Sequence, residues 1–193
     1  MKILITGATG MIGTALTQAC SDHSLTLLGR SKARLHKHFG RSYDYMTWSD
    51  ISSESLAPFD IIVNLAGENI GSGRWSTKKK SRIFNSRIKA TTKIVTACLP
   101  LGEQSPRLIN ASAIGIYGLA KDINQQMNII FDENSTPPKP ATDFISHVGA
   151  SWESALTPAV KAHIPVTLLR FAVVLDRSQG ALAKLLPTFR LGL

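Results

Sequence analysis

Two cysteines, Cys20 and Cys98, are all the thiol this 193-residue chain carries. That is too few for a disulfide framework or a structural zinc site. Acid is scarce as well: 13 Asp and Glu against 22 Lys and Arg leave a formal net charge of +9. No stretch approaches 18 consecutive apolar residues, which excludes a membrane-spanning helix. Met1 runs straight into the apolar segment Ile3–Ile5, leaving no room for a secretion signal. Aromatic residues are 7% of the chain and do not interleave with its basic clusters, so the stacking platform of a nucleic-acid binder is missing. These absences predict one soluble domain over residues 1–193, in a reducing, cytoplasmic setting, with no nucleic-acid partner, no membrane and no metal.

What is present alternates. Short apolar runs at Lys2–Thr6, Leu25–Leu28, Ile61–Leu65, Arg107–Ser112 and Val166–Phe171, with a weaker one at Tyr43–Thr47, suit strands buried on both faces of a parallel sheet. Between them, Met11–Cys20 puts Met11, Ile12, Ala15, Leu16, Ala19 and Cys20 on one helical face. Thr77–Leu99, Phe144–Ala162 and Gly180–Leu193 read as further helices, the second with a kink or early end at Pro158. Leu119–Ala141, with Pro137, Pro138 and Pro140, reads as a surface loop. The alternation predicts an α/β fold: a doubly wound, Rossmann-like parallel sheet in three α/β/α layers.

Chemistry enters at the first strand-to-helix turn, Gly7-Ala8-Thr9-Gly10-Met11-Ile12-Gly13. Gly7 permits a tight turn, Gly10 lets backbone approach a pyrophosphate, and Gly13 allows close helix–strand packing. The free N–H groups opening the helix, with Thr9, Met11 and Ile12 around them, would face the phosphates. The end of the second strand selects the cofactor. An acid there would accept hydrogen bonds from the ribose 2′-hydroxyl of NAD. The sequence instead reads Leu28-Gly29-Arg30-Ser31-Lys32, and Arg30 can make a forked contact to a 2′-phosphate, with Ser31 and Arg34 as further donors. NADP(H) is therefore expected over NAD(H). The same basic segment, read as a loop, contains His36 and His38 on either side of Lys37 and is a poor place for a cation. A second basic group, Lys78 to Arg82 continuing to Arg87, Lys89 and Lys93, reads as a solvated helix face.

The glycine turn, Asn64-Leu65-Ala66-Gly67 and Tyr117-Gly118 after Ser112 together resemble the extended short-chain dehydrogenase/reductase superfamily. Asn64 to Ile70, Arg74-Trp75, Ser86-Arg87, Trp152-Glu153 and Leu186-Pro187 with Phe189 to Leu193 are similar to its atypical branch, the NAD(P)-dependent epimerase/dehydratase family, whose members include sugar-nucleotide epimerase-like proteins. The resemblance implies that Asn64, Leu65, Ala66 and Gly67 line the adenosine and ribose side of the cofactor. It also implies that the chain is truncated before a C-terminal substrate domain.

In that superfamily a Ser or Thr after the fifth strand orients the substrate, and a Tyr-x-x-x-Lys pair moves the proton. Ser112 takes the first position. The Tyr-Lys register falls on Phe144 and Val148, which have neither hydroxyl nor charge. Tyr117 and His147 are the substitute acids at hand, each with a plain alternative as a packing or surface residue. Glu68 is either a substrate contact or a cap for the Asn69–Gly73 turn, and Arg87 either a phosphate contact or a salt bridge on its helix. The leading expectation is an NADP(H)-binding oxidoreductase/epimerase-like protein acting on a small molecule, a nucleotide sugar or a carbonyl compound. The alternative is a non-catalytic NADPH-binding sensor or partner module. An apolar tail that a second copy could cover leaves a homodimer open.

Overall fold

In the computed structural model, which describes residues 1–118 and 130–192, six strands form one all-parallel sheet in the order β3-β2-β1-β4-β5-β6. The strands are β1 (Lys2–Thr6), β2 (Ser24–Gly29), β3 (Asp44–Thr47), β4 (Ile61–Asn64), β5 (Arg107–Ala113) and β6 (Val166–Phe171). The helices are α1 (Met11–Ala19), α2 (Lys32–Phe39), α3 (Ser53–Leu56), α4 (Thr77–Cys98), α5 (Phe144–Ser154), α6 (Thr157–Lys161) and α7 (Gly180–Arg190). The expected doubly wound, Rossmann-like fold is what the chain adopts.

Strand parity sorts the core into two faces, because successive side chains leave a strand on opposite sides. Ile3, Ile5, Leu25, Leu27 and Val63 pack with Leu16 and Leu35 from α1 and α2. Leu4, Leu28, Ile62 and Leu108 pack with Leu56, Ile94, Val95 and Ala159 from α3, α4 and α6. The sheet is thus the middle of three layers.

Several boundaries differ from the sequence reading, and each has a local cause. The segment after Ser31 is not a loop but helix α2: the Ser31 hydroxyl caps the Arg34 N–H, and His36, Lys37 and His38 occupy the last turn, where positive charge suits the helix dipole. Phe144–Ala162 is two helices rather than one kinked helix. The break falls at Ala155-Leu156, and Pro158 sits in the first turn of α6, where its missing N–H costs nothing. The helix from Gly180 stops at Arg190, and Leu193 lies outside the described residues. Of the expected loop Leu119–Ala141, residues 119–129 also lie outside them, and 130–141 holds no helix or strand.

Candidate functional site

The carboxyl ends of β1, β2, β4 and β5 bring the sequence-predicted residues to one edge of the sheet. At the β1–α1 turn Gly7 has φ +68°, and a Cβ there would lie 2.6 Å from the Leu65 carbonyl oxygen. A Cβ on Gly13 would lie 2.4 Å from the Gly7 carbonyl oxygen. Both positions therefore require glycine, the first to turn beside the β4 loop and the second to seat α1 on the turn. Gly10 caps α1 with no side-chain hydrogen bond, so the N–H groups of Met11, Ile12 and Gly13 keep their capacity for a ligand. Thr14 Oγ1 donates to the Ala8 carbonyl and fixes the turn from behind.

Beyond β2, Arg30 and Arg34 are exposed, and neither side chain has a hydrogen bond or short ion pair among the described residues. Lys32 is tied to Asp50 at 3.3 Å. Because Ser31 Oγ accepts from Arg34 N, its own proton stays available as a donor.

The Asn64 side chain is taken up by the protein itself. It is 3% exposed, and its Oδ1 accepts from Thr6 Oγ1 at 2.7 Å and from the Ala66 N–H at 3.3 Å. Its Nδ2 donates to Asn110 Oδ1 at 2.6 Å and to Thr91 Oγ1 at 3.0 Å. Trp152 Nε1 also donates to Thr91 Oγ1. Thr6, Asn64 and Asn110 are register partners across β1, β4 and β5, so the network is one polar layer beneath the ligand edge. Every polar atom of the Asn64 side chain is used internally. What remains for a cofactor is the backbone of Leu65, Ala66 and Gly67, which this layer holds in place through the Ala66 N–H.

Glu68 and Arg87 resolve into structural roles. Lys79, 5% exposed, donates to Glu68 Oε1 at 2.8 Å and to Ser72 Oγ at 3.0 Å. The Lys79 hydrogen bond holds the Glu68 carboxyl below its ordinary range. Arg87 donates to the Glu68 and Ile83 carbonyls at 3.1 Å and lies over the Trp152 ring, while burial pulls its pKa down. Among the described residues it forms no salt bridge on its helix; backbone carbonyls take its donors instead. A Cβ on Gly67 would lie 3.0 Å from its guanidinium carbon, so Arg87 forms the floor of the Gly67 turn.

At the other end of the edge, the catalytic candidates meet partners the sequence reading missed. Ser112 and Arg170 are register partners on β5 and β6. Glu153 of α5 bridges them: it accepts from Ser112 Oγ at 2.6 Å and from Arg170 Nε and Nη2 at 2.8 and 2.9 Å. Arg170 Nη1 then donates to the Tyr117 hydroxyl at 2.6 Å. Ser112 is 3% exposed and its single proton goes to Glu153, so it enters the cluster as a link rather than as a free donor to a substrate. The missed signal was spacing: residues two apart on a strand share a face, so Arg170 follows Leu168 as Ser112 follows Asn110. His147 stacks on Phe84 of α4, rings 5.3 Å apart, away from this cluster. Phe144 meets Trp75 edge-on and carries Lys80 Nζ over its ring, and Val148 is buried. No group of His, Cys, Asp or Glu among the described residues could hold a metal ion.

A family model for the NAD dependent epimerase/dehydratase family matches residues 3–189. Epimerase family protein Mb2239 of Mycobacterium bovis is 34% identical over 99% of this chain and 60% of its own length. A crystal structure of human epimerase family protein SDR39U1 with NADPH superposes with a TM-score of 0.77 at 30% identity, over 100% of this chain and 60% of that one. A nucleoside-diphosphate sugar epimerase from Corynebacterium glutamicum gives a TM-score of 0.74 at 26% identity, over 98% of this chain and 37% of that one. The chain thus spans about six tenths of the length of the curated relatives it matches.

Proposed function

The chain belongs to the NAD dependent epimerase/dehydratase family, and on that premise we propose that residues 1–193 form an NADP(H)-binding unit of an oxidoreductase/epimerase-like protein. The observation that carries this reading is the pairing of an uncapped α1, seated by Gly7, Gly10 and Gly13, with the acid-free end of β2. The N–H groups of Met11 to Gly13 would hold the pyrophosphate. Arg30 and Arg34, with the Ser31 hydroxyl, would take the 2′-phosphate, and Leu65 to Gly67 would flank the ribose with backbone alone. A relative crystallised with NADPH supports the phosphorylated cofactor, whereas neighbours at lower identity were crystallised with NAD.

When bound, the nicotinamide supplies hydride exchange with a hydroxyl- or carbonyl-bearing substrate. The chain's own task is orientation, and its proton-handling groups lie in the Ser112–Glu153–Arg170–Tyr117 cluster. The second reading, a non-catalytic NADPH-binding module, is favoured by Phe144 and Val148, which stand in the Tyr-Lys register with neither hydroxyl nor charge. No described helix is long and apolar enough to cross a membrane, and a reducing, cytoplasmic setting suits the two free thiols.

Titration with NADPH and NADH, followed by nicotinamide fluorescence, tests the cofactor reading. NADPH should bind the tighter, and Arg30→Ala should weaken it about 10- to 100-fold, the range of one charge-assisted contact, with NADH unchanged. Equal loss for both cofactors, or no binding of either, would overturn it. NADPH turnover against a panel of carbonyl compounds separates enzyme from sensor.

A further inference from the structure

The strand order β3-β2-β1-β4-β5-β6 reverses between β1 and β4. In an open α/β sheet the crevice outside that reversal is where a ligand binds. Its two lips are the β1–α1 turn, ending at Met11, and the loop after β4, which contains Gly71. Helix α7 touches both. A Cβ on Gly180, its first residue, would lie 3.4 Å from Met11 Sδ, and Lys184 Nζ donates to the Gly71 carbonyl. Positions four apart share a helix face, so one face of α7 bridges the mouth of the crevice.

Packing does not hold α7 there, since it buries none of its residues. The Asp176 carboxylate fixes the approach to the helix by accepting from the Ser178 and Gln179 N–H groups. Among the described residues, Lys184 makes the one hydrogen bond from an α7 side chain, to a partner 113 positions away.

The charge of Lys184 exceeds what that tie requires. An ammonium has three donors, and a neutral carbonyl takes one of them. No carboxylate among the described residues lies within ion-pair distance of Lys184. Glu68, the acid of the β4 loop, is already held by Lys79. The opposite lip is short of acid as well: α1 opens with no carboxylate in its first turn and no side-chain cap, so its dipole presents positive charge. The crevice therefore has a cation over one lip, a helix dipole at the other, and no anion of the protein to balance them. Of the anionic groups in a dinucleotide, the diphosphate is the one that belongs at the opening of α1.

We propose that Lys184 is a diphosphate-binding residue of the cofactor site, carried over the crevice by α7, with a phosphoryl oxygen as the counter-ion that Gly71 cannot supply. The assignment rests on the cofactor reading above and adds to it a wall from the far end of the chain.

The diphosphate is common to NADPH and NADH, so loss of the Lys184 charge should weaken both, whereas loss of Arg30 should weaken NADPH alone. Lys184→Gln keeps a donor toward Gly71 but no charge. In titrations followed by nicotinamide fluorescence it should bind each cofactor about tenfold more weakly, the worth of one charge-assisted contact. Lys184→Arg, which keeps the charge, should return both affinities to within about threefold of the wild type. Adenosine 2′-phosphate has no diphosphate, and its inhibition constant against NADPH should be the same for the wild type and Lys184→Gln. Thermal unfolding should not move, because Lys184 is exposed and α7 buries nothing. Wild-type affinity for both cofactors in Lys184→Gln would overturn the proposal and leave the lysine as a tie to the Gly71 loop. A loss confined to NADPH would overturn it too, as would a loss that Lys184→Arg does not restore. If the wild type binds NADPH and NADH equally and Lys184→Gln weakens both, Lys184 keeps its assignment and the NADP(H) preference falls. Selective NADPH binding that Lys184→Gln leaves untouched would do the reverse.

Discussion

β1 and β6 are both parallel strands of one sheet, yet they end in different states. In β1 only Lys2 is exposed and the other four residues are buried, whereas no residue of β6 is buried. β1 lies between β2 and β4 and is covered by helices on both faces; among the described residues β6 has β5 as its one neighbour. The same contrast holds for helices. α1 buries Gly13 and Thr17 against the sheet, while α7 buries nothing and leaves Leu185 and Phe189 at 50% and 67% exposure. Burial follows position in the sheet rather than hydrophobicity of the segment. The difference has a functional side. The glycine cradle is built on the closed half, where a Cβ on Gly7 or Gly13 would lie 2.6 or 2.4 Å from backbone oxygen.

Five substitutions break or sharpen that contrast. The largest effect is expected from Leu27→Ala on the closed half, with Leu27 wholly buried. Urea denaturation should show a loss of about 3 kcal/mol, whereas Leu175→Ala on the open half, 63% exposed, should cost under about 0.5 kcal/mol. Equal costs would mean that the open half is covered in solution. Next is Asn110→Ala, which leaves the buried Asn64 amide and Thr91 hydroxyl short of a partner. A cost of about 2 kcal/mol is expected in the same measurement. Gly13→Ala drives a methyl against the Gly7 carbonyl. It should cost about 1–2 kcal/mol and weaken NADPH binding further than its stability loss explains, since α1 must shift off the turn.

The smallest effect concerns acid. Glu68, held by Lys79 below the ordinary 4.5 of a glutamate, contributes stability that is fully present above that value. The contribution is lost as pH falls through the lower folded value. Glu68→Gln should therefore be less stable than the wild type at neutral pH and equal to it in acid, as read from thermal unfolding at a series of pH values. A difference that persisted in acid would assign the effect to packing.

Most of the fold was legible because its signals are local. The apolar runs of β1, β2, β4, β5 and β6 announce themselves, and Gly7, Gly10 and Gly13 fall where a strand meets a helix. Helix α2 was not legible: its basic, His-containing sequence reads as loop until the Ser31 cap and the Leu35 anchor are seen together. The break before α6 turned on one residue, because proline is tolerated in a first turn as readily as it ends a helix. In the site, Arg30 needs only its place after β2 to be noticed. Arg170, 53 residues from Tyr117, carries no local mark of its partnership with Glu153.

The order of the strands, the glycine turn and the missing acid after β2 were set by the sequence alone, because each depends on residues within a few positions of one another. Only the tertiary structure decided that Asn64 serves the core, that Arg87 supports a turn, and that Ser112 and Tyr117 are joined through Glu153 and Arg170. Those outcomes depend on which side chains meet across strands, and a hydrogen bond between distant segments is fixed by register and strand parity, which no single segment contains.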